Sequence, residues 1–196
     1  MENIKTLMKR RDFLIGLSGL AFFNLFTYSM GRSQVDKKQK QRQKMEPYDM
    51  QLRPHHILDI IKHHGEGKEY QPAVGGNSLH IIAPKLLSNL DLKIKLILEA
   101  DDICKGCKLL LPDGRCTNVL SQIKPSPSMQ AYNDVLDCRL FDYLLIEVNS
   151  VMTFKEFLEM INEKVPGIER ICTHPKEDHE ERLNGLIDGL IKLGVR

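Results

Sequence analysis

The apolar residues recur with two different periods along the chain, which predicts both strands and helices. Residues 92–98 alternate between apolar and polar over their first five positions, as in a half-buried strand. The segment Leu79-His80-Ile81-Ile82 is a possible second, shorter strand. A helix is predicted over 54–64, because Pro54 suits a first helical position, Gly65 suits a stop, and the apolar residues between them share one face.

A long helix is predicted in the second half of the chain. Ser126-Pro127 can open it, and the pattern continues to about Val148. Cys138, Phe141 and Leu145 recur at helical spacing along it and would lie on one apolar side. We therefore expect Cys138 to be a small buried side chain rather than a ligand.

Two further helices complete the predicted fold. Thr153 and Glu156 have the spacing of a capping box, which opens a helix over 153–165 that Pro166-Gly167 ends. The apolar stripe of the last helix consists of Leu183, Leu186, Ile187, Leu190 and Ile191. Together the elements predict a small, mostly helical α+β domain with a short sheet.

The charge distribution divides the chain into a basic leading part and an acidic body. Residues 1–45 carry ten Lys and Arg against three Asp and Glu, which leaves eighteen against twenty-three for residues 46–196. We divide the chain into a signal or membrane anchor (1–31), a basic polar linker (32–50) and one folded domain (51–196). An acidic domain without Trp lacks the positive surface and stacking faces that nucleic-acid binding needs, so we exclude that class.

The N-terminus resembles a twin-arginine translocation signal. Arg10, Arg11, Phe13 and Leu14 stand where that pattern requires them, and an uncharged, mostly apolar run follows to Met30. An ordinary secretory signal or an uncleaved membrane anchor is the alternative. The basic residues after the run favour a cytoplasmic location for the segment that follows it, and hence for the domain. A twin-arginine signal, by contrast, favours export of the domain.

A cysteine-rich loop supplies the clearest candidate chemistry. Cys104, Cys107 and Cys116 lie within thirteen residues, as a Cys-x-x-Cys pair and a third cysteine that follows a Pro-Asp-Gly turn. Such a pair can direct both sulfurs to one point, and a third thiolate leaves one position of a tetrahedral site. Because the chain has five cysteines, a complete disulfide framework would leave one unpaired. The spacing therefore predicts a metal or cluster site.

Cys172 is the candidate for the fourth ligand. It lies in the turn before the last helix, where backbone N–H groups and the helix dipole favour a thiolate. Cys138 is the other candidate, and His174 and His179 are reserve ligands that are otherwise surface histidines.

The helix predicted over 54–64 carries a second group of polar residues. His55, Asp59 and His63 fall four positions apart and share one side, as on a metal-binding or proton-relay helix. The alternative is that they are helix-end histidines on a solvated face.

Several segments of the body resemble, in order, the domain of unknown function 1284 family. The specific ones are Arg53-Pro54-His55-His56 and Asp101-Asp102-Ile103-Cys104, and the resemblance covers roughly residues 52–193. These small bacterial and archaeal proteins are suspected of binding an iron–sulfur cluster. The resemblance implies such a cluster on Cys104, Cys107, Cys116 and Cys172. The family's late cysteine-rich segment is reduced here to Cys172, which implies one site rather than two.

Three functions follow as hypotheses. The first is a small iron–sulfur protein with a four-iron cluster, which transfers electrons to a partner protein or senses redox state. The second is a structural zinc module that uses the same thiolates, or three of them with His174. The third is an enzyme in which His55, His56 and Asp59 are acid–base groups. The twin-arginine resemblance favours the first, because that route carries proteins that fold around a cofactor before export.

Overall fold

A computed structural model describes residues 46–196, which form an α+β fold of five α-helices, one 3-10 helix and a three-stranded sheet. The predictions for residues 1–45, the twin-arginine signal or anchor and most of the basic linker, lie outside the described residues. In chain order the elements are β1 (Met50–Leu52), α1 (Pro54–Gly65), α2 (Leu79–Leu87), β2 (Lys93–Leu96), α3 (Met129–Leu144), β3 (Val151–Thr153), α4 (Phe154–Lys164), the 3-10 helix (Ile168–Ile171) and α5 (His179–Lys192).

The sheet is short and mixed, with β2 in the centre. β1 pairs with β2 in parallel, so that Met50 lies opposite Ile94, and β3 pairs with β2 antiparallel, so that Thr153 lies opposite Lys93. The predicted alternation is confirmed, because Ile94 and Leu96 are buried whereas Lys93 is exposed. Met50, which the sequence placed at the end of the linker, belongs to this sheet and is buried.

Helices α1 and α5 pack backbone to backbone. A Cβ at Gly189 would lie 2.2 Å from the carbonyl oxygen of Ile61, and one at Gly65 would lie 1.9 Å from that of Gly185. Only glycine permits such an approach, so three glycines bring the two helices together. The apolar stripe of α5 is confirmed at Leu186 and Leu190, which are fully buried; Ile191, by contrast, is 52% exposed.

The prediction of a strand at 79–82 is wrong, because these residues begin helix α2. A mostly apolar stretch of four residues fits a buried strand and a helix equally well. Here Ala83 and Leu86 are buried while Ile81 is 58% exposed, which is the pattern of a helix with one apolar face. Pro84 lies inside this helix, although proline is generally disfavoured in the interior of a helix.

The long helix is shorter than expected, and its buried face differs. Ser128 caps α3 by accepting a hydrogen bond from the N–H of Ala131, and the helix ends where Leu145 takes a left-handed conformation with φ 56°. The buried side consists of Leu136, Asp137, Leu140, Phe141 and Leu144. The prediction of a buried Cys138 is wrong, because the helix turns this residue toward solvent.

The other boundaries agree with the sequence. Helix α1 begins at Pro54, and the capping box of α4 is complete, with the Glu156 N–H donating to the Thr153 hydroxyl at 3.1 Å and the Thr153 N–H donating to the Glu156 carboxylate at 2.7 Å. Within residues 46–196, no helix has the length and apolar character needed to cross a membrane.

Candidate functional site

The N-terminus of α1 is capped by carboxylates from two distant parts of the chain. The backbone N–H of Arg53 donates to Asp101 Oδ2 at 2.9 Å, and that of His55 donates to Asp137 Oδ1 at 2.9 Å. The first N–H groups of a helix have no partner in that helix and favour negative charge. The two carboxylates therefore fix the start of α1 and, with it, the positions of His55 and His56.

Asp137 is the central acceptor of this cluster. It is fully buried on α3 and accepts hydrogen bonds from Arg53 Nε at 2.6 Å and from His55 Nδ1 at 2.8 Å. Arg53 also donates to Asp134, one turn earlier on α3, at 2.6 Å. Burial raises the pKa of Asp137, but the hydrogen bond and charge of His55, with the charge of Arg53, outweigh it and lower the pKa. Asp137 is therefore held as a carboxylate.

Asp101 connects the histidines to the cysteine-rich loop, residues 101–120. Its Oδ2 accepts from His56 Nδ1 at 2.7 Å, and its Oδ1 accepts from the backbone N–H groups of Ile103 and Cys104 at 3.1 Å. Burial raises its pKa, but His56 and the backbone donors outweigh it and lower the pKa to about 2. One buried carboxylate thus holds both the helix start and the first turn of the loop.

The rings of His55 and His56 lie side by side, with centroids 4.2 Å apart. Each turns Nδ1 to a carboxylate, so Nε2 is the remaining nitrogen, and within residues 46–196 neither Nε2 has a hydrogen-bond partner. Burial and the neighbouring His56 lower the pKa of His55. Burial also lowers the pKa of His56, but the charge of Asp101 outweighs it and raises the pKa. Of the two rings, His56 therefore takes up a second proton more readily than His55 does.

A cavity of about 350 Å³ opens beside these two rings. Asp59 of α1 and Arg182 of α5 line it, and Arg182 Nη2 lies 2.9 Å from Asp59 Oδ1. Arg182 also donates through Nη1 to Glu177 at 3.2 Å, whereas its buried Nε has no acceptor among residues 46–196. A void of about 10 Å³, room for one water molecule, lies between Arg182, His55 and Cys172.

The cysteine-rich loop folds into a turn and a small hairpin. The N–H of Cys107 donates to the carbonyl oxygen of Cys104 at 3.1 Å, which closes a turn around Gly106. Leu110 then pairs antiparallel with Cys116, so that the chain returns toward the Cys-x-x-Cys turn. Burial and the charge of Asp101 raise the pKa of the Cys104 thiol to about 12. All five cysteines of the chain are free thiols.

The structure brings only some of the predicted site residues together. His55, His56 and Asp59 line the cavity with Cys172 and His174, whereas Cys104, Cys107 and Cys116 belong to the loop.

The solvated-face interpretation is wrong for His55, which is 7% exposed. His63 lies away from this cavity, with its ring centroid 6.5 Å from that of Tyr70. His179 is exposed and contacts the carbonyl oxygen of Cys172 at 3.1 Å. Across residues 46–196, no three His, Cys, Asp or Glu side chains are arranged to hold one metal ion.

Sequence reasoning missed Asp137 and Arg182, although both leave a signal. Asp137 is followed at helical spacing by Leu140, Phe141 and Leu144, which are buried. Arg182 lies four positions before Leu186 on the apolar stripe of α5. A charge within an apolar stripe needs a buried partner, so such positions identify candidates for a buried polar cluster.

No protein-family model matches this chain, and neither the curated proteins nor the solved structures contain a match to it. The resemblance to the domain of unknown function 1284 family therefore stays a prediction that depends on the two motifs. The structure adds that these two motifs contact each other through Asp101.

Proposed function

We propose that the domain is a small iron–sulfur protein whose cluster is held by Cys104, Cys107, Cys116 and Cys172. The observation that carries the proposal is the path of the loop, in which a tight Cys-x-x-Cys turn is followed by a hairpin that returns Cys116. When bound, such a cluster supplies one-electron transfer at a potential set by its surroundings. The protein would then exchange electrons with a redox partner or sense redox state.

The backbone of the loop supports three converging ligands. The hairpin is closed by hydrogen bonds from the N–H of Leu111 to Arg115 O and from the N–H of Thr117 to Leu109 O, both 2.8 Å long. Gly106, between the paired cysteines, has φ 78°, in the left-handed region that favours glycine. The sulfurs themselves do not meet at one point. A cysteine side chain turns about a single bond, however, so the backbone decides whether three thiols can converge.

Cys172 is the proposed fourth ligand, and its support is its position. It lines the same cavity as Leu120, the buried residue four positions after Cys116. Cys138 is a poorer candidate, because it is exposed on α3 and does not line this cavity. The proposal extends to residues 1–31 as a twin-arginine signal, since that route would export the domain already folded around its cofactor; an uncleaved anchor that keeps the domain in the cytoplasm is the alternative.

The test is an analysis of the full chain purified without oxygen, for iron, acid-labile sulfide, zinc and visible absorption. We expect brown protein with about four iron and four sulfide per chain. We expect the cluster to be lost in Cys104→Ser and Cys172→Ser and kept in Cys138→Ser, the matched control. A cluster that survives Cys172→Ser would remove this residue from the ligand set.

Colourless protein with one zinc ion would contradict the iron–sulfur proposal and favour the structural zinc module. Colourless protein without any metal would contradict both. The same samples, examined for retained fold by circular dichroism, distinguish loss of cofactor from loss of structure.

A further inference from the structure

Apart from Cys172, the polar lining of the cavity beside His55 and His56 has no part in the iron–sulfur proposal. We propose that this cavity binds a small neutral molecule with a carbonyl group, and that the two imidazoles transfer protons to and from that molecule. This proposal depends on α1, α3 and α5 and uses no thiol of the loop, although Cys172, the proposed fourth ligand, lines the same cavity.

The orientation of the two rings is the first step of the argument. A carboxylate can only accept hydrogen bonds, so Asp137 and Asp101 keep a proton on Nδ1 of each ring. The lone pair of a neutral ring is then on Nε2, which is open to the cavity. Because the ring centroids are 4.2 Å apart, a carbonyl oxygen can contact one ring while the carbon next to the carbonyl group contacts the other.

The surroundings assign different roles to the two rings. Asp137 shares its negative charge between His55 and the guanidinium of Arg53, which lies 2.6 Å away. The carboxylate of Asp101 has no cation other than His56 among the contacts of residues 46–196. His56 is therefore the better holder of a second proton and donates it, whereas neutral His55 accepts one.

The charges of the cavity favour a neutral molecule over an oxyanion. Both terminal nitrogens of Arg182 already bind carboxylates, those of Asp59 and Glu177. The carboxylates of Asp59 and Glu177 balance the guanidinium and His56 when that ring carries its second proton, so the cavity offers a phosphate or a carboxylate no net attraction. The volume of about 350 Å³ is that of a site for a small molecule.

Arg182 is the second, independent indication of a ligand. It is 3% exposed, and its buried Nε has no acceptor within the described part of the chain. A buried donor without an acceptor is costly, and the Arg182 side chain lines a void of about 10 Å³ that can hold one acceptor atom. A ligand oxygen, or a water molecule that the ligand orders, would satisfy this donor.

The proposed chemistry is an exchange of protons without any further reactant. His55 Nε2 takes a proton from the carbon next to the carbonyl, and the electron pair of that C–H bond moves toward the carbonyl oxygen. His56 Nε2 donates a proton to that oxygen, which gives an enol. The reverse step returns the proton to carbon, and both rings recover their original protonation states.

Binding is tested with benzamide and benzoate, which have nearly the same shape but differ in charge, and with inorganic phosphate. We expect benzamide to shift the imidazole NMR signals of His55 and His56, and benzoate and phosphate to bind at least about tenfold more weakly. Benzoate or phosphate that binds as well as benzamide, or benzamide that leaves both imidazoles unperturbed, would overturn the proposal.

Proton transfer is tested by deuterium exchange at the methyl group of acetophenone in heavy water, followed by NMR. His55→Asn keeps an N–H near the position of Nδ1 for Asp137 but removes Nε2, so the fold is retained while the base is lost. We expect the exchange rate to fall about 100-fold in this variant and to be unchanged in His63→Asn, the control on the same helix. Exchange no faster than in buffer, or equally fast in His55→Asn, would overturn the catalytic role.

Discussion

Nδ1 of His56 lies 2.7 Å from Oδ2 of Asp101, and this contact joins the Arg53-Pro54-His55-His56 segment to the start of the cysteine-rich loop. The same oxygen accepts the backbone N–H of Arg53 at 2.9 Å. The other oxygen accepts the N–H of Cys104 at 3.1 Å. A change at Asp101 must therefore affect the helix start, the histidine pair and the loop together.

Asp101→Asn is expected to lower the free energy of unfolding in a pH-dependent manner. The pKa of Asp101 is lowered on folding from an ordinary 3.8 to about 2. Its ionised form thus stabilises the fold above pH 4, and that stabilisation, roughly 2 kcal/mol, is lost as the pH falls toward 2. Urea unfolding of the wild-type protein and of Asp101→Asn should show the full difference in the free energy of unfolding at pH 6 and a smaller difference at pH 2.5. Asp188→Asn, at an exposed position on α5, is the control, and a difference that does not change with pH would contradict the argument.

Asp137→Asn and Asp134→Asn form a matched pair on α3. Each carboxylate lies 2.6 Å from Arg53, but Asp137 is completely buried whereas the side chain of Asp134 is 43% exposed. Loss of the buried charge leaves Arg53 only the half-exposed Asp134 and removes the charge that faces His55, which should lower the free energy of unfolding by about 3–5 kcal/mol. Loss of Asp134 should cost less than about 1 kcal/mol. Thermal unfolding measures both, and equal effects would show that burial does not decide their contributions.

Gly189→Ala should separate α1 from α5. The added methyl group would lie 2.2 Å from the carbonyl oxygen of Ile61, and backbone cannot move aside as a side chain can. We expect the free energy of unfolding, measured by chemical denaturation, to fall by about 3 kcal/mol or more. Gly75→Ala, where nothing lies within 4 Å of the new atom, is the control. A stable Gly189→Ala protein would mean that the two helices can pack further apart.

Gly106→Ala tests the turn of the cysteine-rich loop, with Gly114→Ala as its control. Both glycines have positive φ, 78° and 83°, so both variants carry a similar backbone strain of about 1–2 kcal/mol. Only at Gly106 does the new Cβ approach another part of the chain, the carbonyl oxygen of Gly76 at 3.1 Å. Gly106→Ala should therefore lower the metal content of purified protein more than Gly114→Ala does. Equal metal content in the two variants would show that this approach does not position the ligands.

Local signals predicted the elements that depend on neighbouring residues. Pro54 marked the start of α1, and the alternation around Ile94 marked β2. The capping box of α4 needs only Thr153 and Glu156, so it was predictable from their spacing alone. Helix α2 was missed because its apolar residues resemble a strand until Ala83 and Leu86 are known to pack on the core.

The candidate site was predictable only in part, because its partners are distant in sequence. His55 and His56 were identified from their own helix, but Asp137, which holds His55, follows it by 82 positions. Cys172 was predicted as the fourth ligand from its position in the turn before the last helix, whereas its place in the wall of the cavity depends on residues of α1, α3 and α5. Neither arrangement depends on spacing along the chain, so neither could be predicted from spacing.

The capping of α1 by Asp101 and Asp137 also sets the order in which the site can be completed. During synthesis His55 emerges long before Asp137, and Arg182 follows 45 positions after Asp137. The backbone N–H of Arg53 therefore has no partner until Asp101 has been synthesised, and that of His55 has none until Asp137 has been. The amide hydrogens of Arg53 and His55 should accordingly exchange with solvent only when the whole domain opens, which makes them reporters of global unfolding at the site itself.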